Sequence, residues 1–121
     1  MTSEIYGDKS YVRVGGITGA IHASSLKSCT VDAVIKGETS ARIGGISGYM
    51  DASSSITSST VSGKLIKEDT NSGAGAIVYL SANGATISEC GAKGTINDVA
   101  ITTSDFVGDG KAVPTGSYIL E

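Results

Sequence analysis

Two cysteines, one histidine and 12 acidic residues are the main material this 121-residue chain offers for reactive chemistry. A Ser-His-Asp arrangement can be drawn from Ser24, His22 and Asp51. The sequence has no G-x-S-x-G elbow, and serines are so common that one near a histidine carries little weight, so His22 reads as a solvated loop residue. Zinc needs several ligands converging; Cys29 and Cys90 stand far apart and unaccompanied, so no metal is expected. Asp98 and Asp109-Gly110 fall in turns, yet the calcium-binding nonapeptide of β-rolls is missing, which leaves them as turn formers. Glycoside cleavage needs two carboxylates on one face, whereas Glu38, Asp51, Glu68, Asp69 and Glu89 scatter over different positions. No catalytic residue and no cofactor is therefore assigned. Tyr49 and Tyr79 remain as candidate ligand contacts, able to stack on a sugar or a partner, or else to pack at an edge.

What positions these residues is a repeat. Val14-Gly15-Gly16-Ile17-Thr18-Gly19-Ala20 recurs as Ile43-Gly44-Gly45-Ile46-Ser47-Gly48-Tyr49, then in worn form as Gly75-Ala76-Ile77-Val78-Tyr79-Leu80. The period is about 30 residues, a length typical of stacked repeat units. Residues 3–13 read as the tail of a preceding coil, 12–40 as repeat one, 41–71 as repeat two and 72–104 as repeat three. Residues 105–121 are a degraded repeat or C-terminal cap, with Phe106 to Gly110 as its start, and 1–121 form one repeat domain.

The second half of each unit alternates with period two, the mark of a strand with one buried face. Cys29, Val31, Ala33 and Ile35 are small or aliphatic and are assigned inward. So are Ser59, Val61, Gly63 and Leu65, and then Cys90, Ala92, Gly94 and Ile96. The opposite parity is mostly polar, with Val34 and Ile66 as exceptions that mark a corner or a contact. Helix-forming stretches are missing between the strands. The expected fold is all-β, a right-handed parallel β-solenoid of about three coils. Its core ladders are Ile17/Ile46/Ile77, Leu26/Ile56/Ile87 and Val31/Val61/Ala92. The glycine pair is expected at a corner needing positive φ or close backbone approach.

Stacking also decides the cysteines. Cys29 and Cys90 share the inward column with Ser59 between them. Rungs about 4.8 Å apart separate their Cα atoms by nearly ~10 Å, beyond the roughly 7 Å a disulfide spans. Two free, buried thiols are expected. An ice-binding threonine array is not expected, because Thr30 and Thr60 are followed by Gly91.

Charged residues make up 17% of the chain and net charge is −3, a balance unsuited to nucleic acid. No apolar run is long enough to span a membrane. Met1 to Gly7 has neither a basic region nor an apolar core, so no signal peptide is expected in this sequence. Open solenoid ends expose strand edges, which makes end-to-end self-association an expectation.

The run Ile43-Gly44-Gly45-Ile46-Ser47-Gly48-Tyr49, followed by Ser55-Ile56-Thr57-Ser58-Ser59-Thr60-Val61-Ser62-Gly63, resembles the GLUG repeat. Gly84 to Gly94 and Leu26 to Val31 keep parts of the same pattern, and Ala76 departs from it where unit two has Gly45. The resemblance covers roughly 12–97. Such repeats are found in large bacterial surface and secreted proteins, including adhesin-like proteins, and carry no catalytic residues. The resemblance implies a non-enzymatic structural or adhesive segment, extracellular or at the bacterial cell surface. It would act as a rigid spacer or as a binding surface for a host or cell-surface glycan or protein. One alternative is a phage or virus tail-fibre solenoid that binds carbohydrate. Another is a fragment of a polysaccharide-cleaving β-helix enzyme, which would need carboxylates gathered in a groove.

Overall fold

Thr, Val, Ile and Ser separated by small residues suit the pleated, half-buried surface of a strand. The computed structural model describes residues 2–7, 13–37, 41–67, 73–110 and 114–120. One strand, β1 (Thr2–Gly7), precedes the first full coil of β2 (Arg13–Gly15), β3 (Thr18–Ile21), β4 (Ser25–Lys27) and β5 (Thr30–Gly37). The second coil is β6 (Arg42–Gly44), β7 (Ser47–Met50), β8 (Ser55–Thr57) and β9 (Thr60–Lys67). The third is β10 (Gly73–Gly75), β11 (Val78–Ser81), β12 (Thr86–Ser88) and β13 (Gly91–Ile96). Three short strands follow: β14 (Val99–Ala100), β15 (Val107–Gly110) and β16 (Tyr118–Ile119).

Equivalent strands stack into four sheets: β1-β5-β9-β13, β2-β6-β10, β3-β7-β11-β15 and β4-β8-β12. Every pairing between coils is parallel. The chain is thus a parallel β-solenoid of about three turns with a spacing of about 30 residues. The register follows the repeat: Gly15, Gly44 and Gly75 align, as do Leu26, Ile56 and Ile87 and Val31, Val61 and Ala92. The joints expected at Val12, Ser40, Asn71 and Ser72 lie outside the described residues.

The core runs along the stack axis. Ile35, Ile43, Ile46, Ile56, Leu65, Ile77 and Ile87 are buried, and each contributes about 1.5–3 kcal/mol relative to exposure. Along β5 buried and exposed residues alternate as expected, with Val31, Ala33 and Ile35 inside. Val34 sits on the outer face and Ile66 is half-buried there. Two ladder assignments need correction at the first coil. Ile17 is 41% exposed although Ile46 and Ile77 are fully buried, and Leu26 is only half-buried. The physical reason is position: among the described residues β3 and β4 pair with strands on one side only, so no described rung covers these side chains on the other. Cys29, expected to be buried, is half-buried, because the pairing of β1 with β5 begins only at Asp32 and no described residue stacks on Cys29 from that side; Cys90 is buried, and both are free thiols.

Two of the corners of a coil use different devices. At the glycine pair, positive φ plays no part. A Cβ on Gly44 would collide with the backbone of Ser47 and Val78, and one on Gly45 with the carbonyl of Ala76. Close approach alone excludes a side chain there. A left-handed position recurs in all three coils at the corner before β5, β9 and β13, where Ser28, Ser58 and Glu89 have φ of 57°, 51° and 54°. Each costs on the order of 1 kcal/mol or more for a residue other than glycine. Stacking offsets this, since each amide donates to the next rung: Ser28 to Thr57 O, Ser58 to Ser88 O and Glu89 to Thr115 O. Beside this corner the buried Ser59 hydroxyl donates to Thr57 O and accepts from Cys29 N–H, so its burial leaves no polar atom unmatched.

After β13 the coil is interrupted. Asn97 and Asp98 both adopt left-handed φ and turn the chain back, so that β14 pairs antiparallel with β13. The Asn97 side chain accepts from Lys67 N–H and donates to Lys67 O, replacing a backbone rung. A 3-10 turn, Thr103–Asp105, closed by a Thr102–Asp105 capping box, then leads to Phe106. Phe106 is buried and its carbonyl accepts from Ile77 N–H, continuing the Ile17/Ile46/Ile77 column. β15 stacks on β11, Thr115 bridges Ser88, and β16 stacks on Gly91 and Ala92. Residues 105–110 and 114–120 therefore trace parts of a fourth coil. Gly91 is covered by the Tyr118 ring, which is why this outward position is buried.

Candidate functional site

The richest polar cluster among the described residues lies where the end of β3 meets the end of β7. Asp51 follows β7, and its carboxylate binds back across the rung. Oδ1 accepts from Ala23 N–H at 3.1 Å, Ser53 N–H at 3.1 Å and Ser54 Oγ–H at 2.7 Å. Oδ2 lies 3.2 Å from Ala23 N and 3.3 Å from His22 Nδ1. The Ser54 hydroxyl first, then the Ala23 N–H, hold the Asp51 carboxyl below its ordinary value of 3.8. Asp51 also explains Ala23, whose φ of 46° is unusual for alanine: the carboxylate receives the amide of that strained turn.

This geometry bears on the Ser24, His22 and Asp51 constellation. His22 and Asp51 are brought together, as a charge-orienting pair would be. Ser24 is turned away, because its hydroxyl donates to His22 O at 2.7 Å and not to the imidazole. Asp51 acts as a clamp between two coils, and the His22 side chain remains 64% exposed.

Tyr49 sits beside this clamp, half-buried. The Arg13 guanidinium lies over its ring at 4.5 Å from the centroid, and the His22 ring lies 5.7 Å away at a 47° tilt. Ser47 fixes the backbone there: its Oγ donates to Tyr49 O at 2.6 Å and accepts from Tyr49 N–H at 3.2 Å. Tyr79 is placed differently. Leu80, not Tyr79, is in register with Tyr49, and the Tyr79 ring lies across Gly73 and Gly108. Arg42 approaches it at 5.9 Å and holds further contacts of its own.

The other sequence candidates stay apart. Glu89 occupies the exposed left-handed corner, Asp109 is exposed on β15, and Asp98 pairs with Lys64 at 3.6 Å on the surface. Glu38, Glu68 and Asp69 lie outside the described residues. Among the described residues no three His, Cys, Asp or Glu side chains gather in a metal-binding group, and no pocket is formed. Among the described residues no helix is long and apolar enough to cross a membrane. Burial pushes the Cys90 thiol above its ordinary pKa, which disfavours the reactive thiolate.

Sequence reasoning missed Arg13 and Ser54. A signal for Arg13 existed: Arg13, Arg42 and Gly73 occupy one column of the repeat, two coils of which offer a guanidinium near a tyrosine. Comparison with family models, with curated proteins and with solved structures finds no match.

Proposed function

We propose that this chain is a non-enzymatic repeat segment of a bacterial cell-surface or secreted protein, serving as a rigid spacer and a binding surface. The carrying observation is the continuity of the stack: parallel rungs join coils one to three, the Val31/Val61/Ala92 column is buried in all three, and Ile46/Ile77 and Ile56/Ile87 are buried in coils two and three. Such a stack transmits shape along one axis, and each coil adds about 4.8 Å of length. The likeness of its repeats to the GLUG pattern supports the same reading, as does the outer display of Ser, Thr, Lys and Arg for polar contacts. A glycan or protein on a host or neighbouring cell is the partner this surface suits.

The test is a glycan-array screen of the purified chain beside light scattering and turnover assays on bacterial polysaccharides. Binding without turnover is the expected result. Turnover of any polysaccharide would overturn the non-enzymatic reading. A stable trimer would move the assignment to a tail-fibre-type solenoid.

A further inference from the structure

Among the described residues, Arg13 is an exposed cation held in place by an aromatic ring and paired with no carboxylate. Its guanidinium lies over the Tyr49 ring at 4.5 Å from the centroid. A guanidinium lying over an aromatic face is attracted through its charge and keeps its N–H donors for other partners, and two of them side by side can take an anion through parallel hydrogen bonds. The His22 ring stands against the same tyrosine, with Nδ1 committed to Asp51 and its far nitrogen on an exposed side chain. Ser24 and Ser53 stand exposed in the neighbouring turns. The anionic charge of Asp51 is engaged by five hydrogen-bond contacts from His22, Ala23, Ser53 and Ser54, which limits its competition for Arg13.

From this we infer that Arg13, seated on Tyr49 beside His22, anchors the anionic group of an acidic saccharide. The inference rests on the binding-surface reading above and gives that surface its ligand chemistry. An anion is required to match the guanidinium fork. A saccharide is favoured over nucleic acid, because the chain carries a net charge of −3, which repels a polyphosphate along its length. The site is an open ledge without a pocket, so a single sugar binds weakly and a polymer with repeated acidic units binds through multiple contacts. Carboxylate and sulfate share the chemistry, and the probes below separate them.

The experiment is an NMR titration of the intact chain with methyl glucuronide, methyl glucoside, glucose 6-sulfate and a short single-stranded oligonucleotide. Shifts at Arg13, His22 and Tyr49 with either acidic sugar, and none with the neutral one, are expected. Whichever acidic sugar is stronger identifies the source of the anion. Arg13→Gln is expected to weaken binding about tenfold, and Arg13→Lys to restore less than half of that, since an ammonium lacks the planar fork. Lys93→Gln, on a different sheet, is expected to leave it unchanged. Equal binding of neutral and acidic sugars, or a tighter complex with the oligonucleotide, would overturn the inference. So would retention of acidic-sugar binding in a folded Arg13→Gln variant. Neutral-glycan binding that survives Arg13→Gln would remove this anchor and leave the binding-surface reading standing. A chain that shifts with no saccharide at all removes both.

Discussion

The corner holding Tyr49 and the corner holding Tyr79 come from the same stretch of the repeat, one coil apart, and they have become different objects. In the first, Arg13 covers the ring from outside and His22 stands beside it. In the second, Arg42 of the preceding coil reaches the Tyr79 ring only at 5.9 Å, and Gly73 stands in the third coil where Arg42 stands in the second, so the Tyr79 ring lies down over Gly73. The strand itself differs too. Ser47 hydrogen-bonds both ways to the backbone of Tyr49, and Thr18 does the same for Ala20 in the first coil. The equivalent Val78 has no hydroxyl, and there the tyrosine stands one position earlier. A repeat thus conserves its rungs while single substitutions decide whether a tyrosine serves packing or the surface.

Both corners depend on the shared core, so the largest effect should come from breaking it. Ile46→Asp places a charge without a partner at a fully buried position and is expected to unfold the chain, as such burial costs several kcal/mol, on the order of the stability of a small domain. Circular dichroism melting checks this, and an unchanged melting temperature would sink the ladder assignment. Next in size is Gly73→Ala. Its Cβ would occupy the place of the Tyr79 ring, at an overpacking cost of about 1–3 kcal/mol. The double variant Gly73→Ala with Tyr79→Ala is expected to show a favourable coupling, because the clash disappears with the ring. Additive losses would mean that Tyr79 does not rest on Gly73.

How much of this could be read in the sequence varies with the physics involved. Rung register was legible because glycines and aliphatics recur at fixed spacing, and Leu26, Ile56 and Ile87 aligned as their spacing indicated. End effects were not legible: Ile17 has nearly the same neighbours in sequence as Ile46, with Thr18 in place of Ser47, and its exposure goes with a strand that no described rung covers on one side. The left-handed corner at Ser28, Ser58 and Glu89 was hidden because positive φ is normally announced by glycine, and here stacking across coils carries it. Asp51 could be suspected but not assigned, since its partners Ala23 and Ser54 belong to different coils. Tyr49 was visible as a candidate, but its guanidinium neighbour was not singled out.

Smaller effects sharpen the contrast between the two corners. Asp51 binds its partners as a carboxylate and its folded pKa lies below the ordinary 3.8. Its contribution is therefore fully present above about pH 4 and is lost as pH falls through the lower, folded value. Asp51→Asn is expected to lower the melting temperature at pH 7 modestly and to flatten the acid limb of the stability profile. A profile identical to the parent's would remove the clamp between coils one and two. The least disruptive probe is alkylation of the native chain at pH 8. Cys29 is half-buried and should react first, while Cys90 is buried with its thiol pKa raised and should react only as the chain unfolds. Equal rates would contradict the difference between the first and third coils.

The most direct test of the functional contrast is glycan-array binding by three folded proteins, the parent, Tyr49→Ala and Tyr79→Ala, compared at equal concentration. If the open corner is the interaction surface, Tyr49→Ala loses binding and Tyr79→Ala keeps it despite its lower melting temperature. Binding that survives Tyr49→Ala and disappears with Tyr79→Ala would place the surface at the other corner and contradict the division of roles between the two tyrosines.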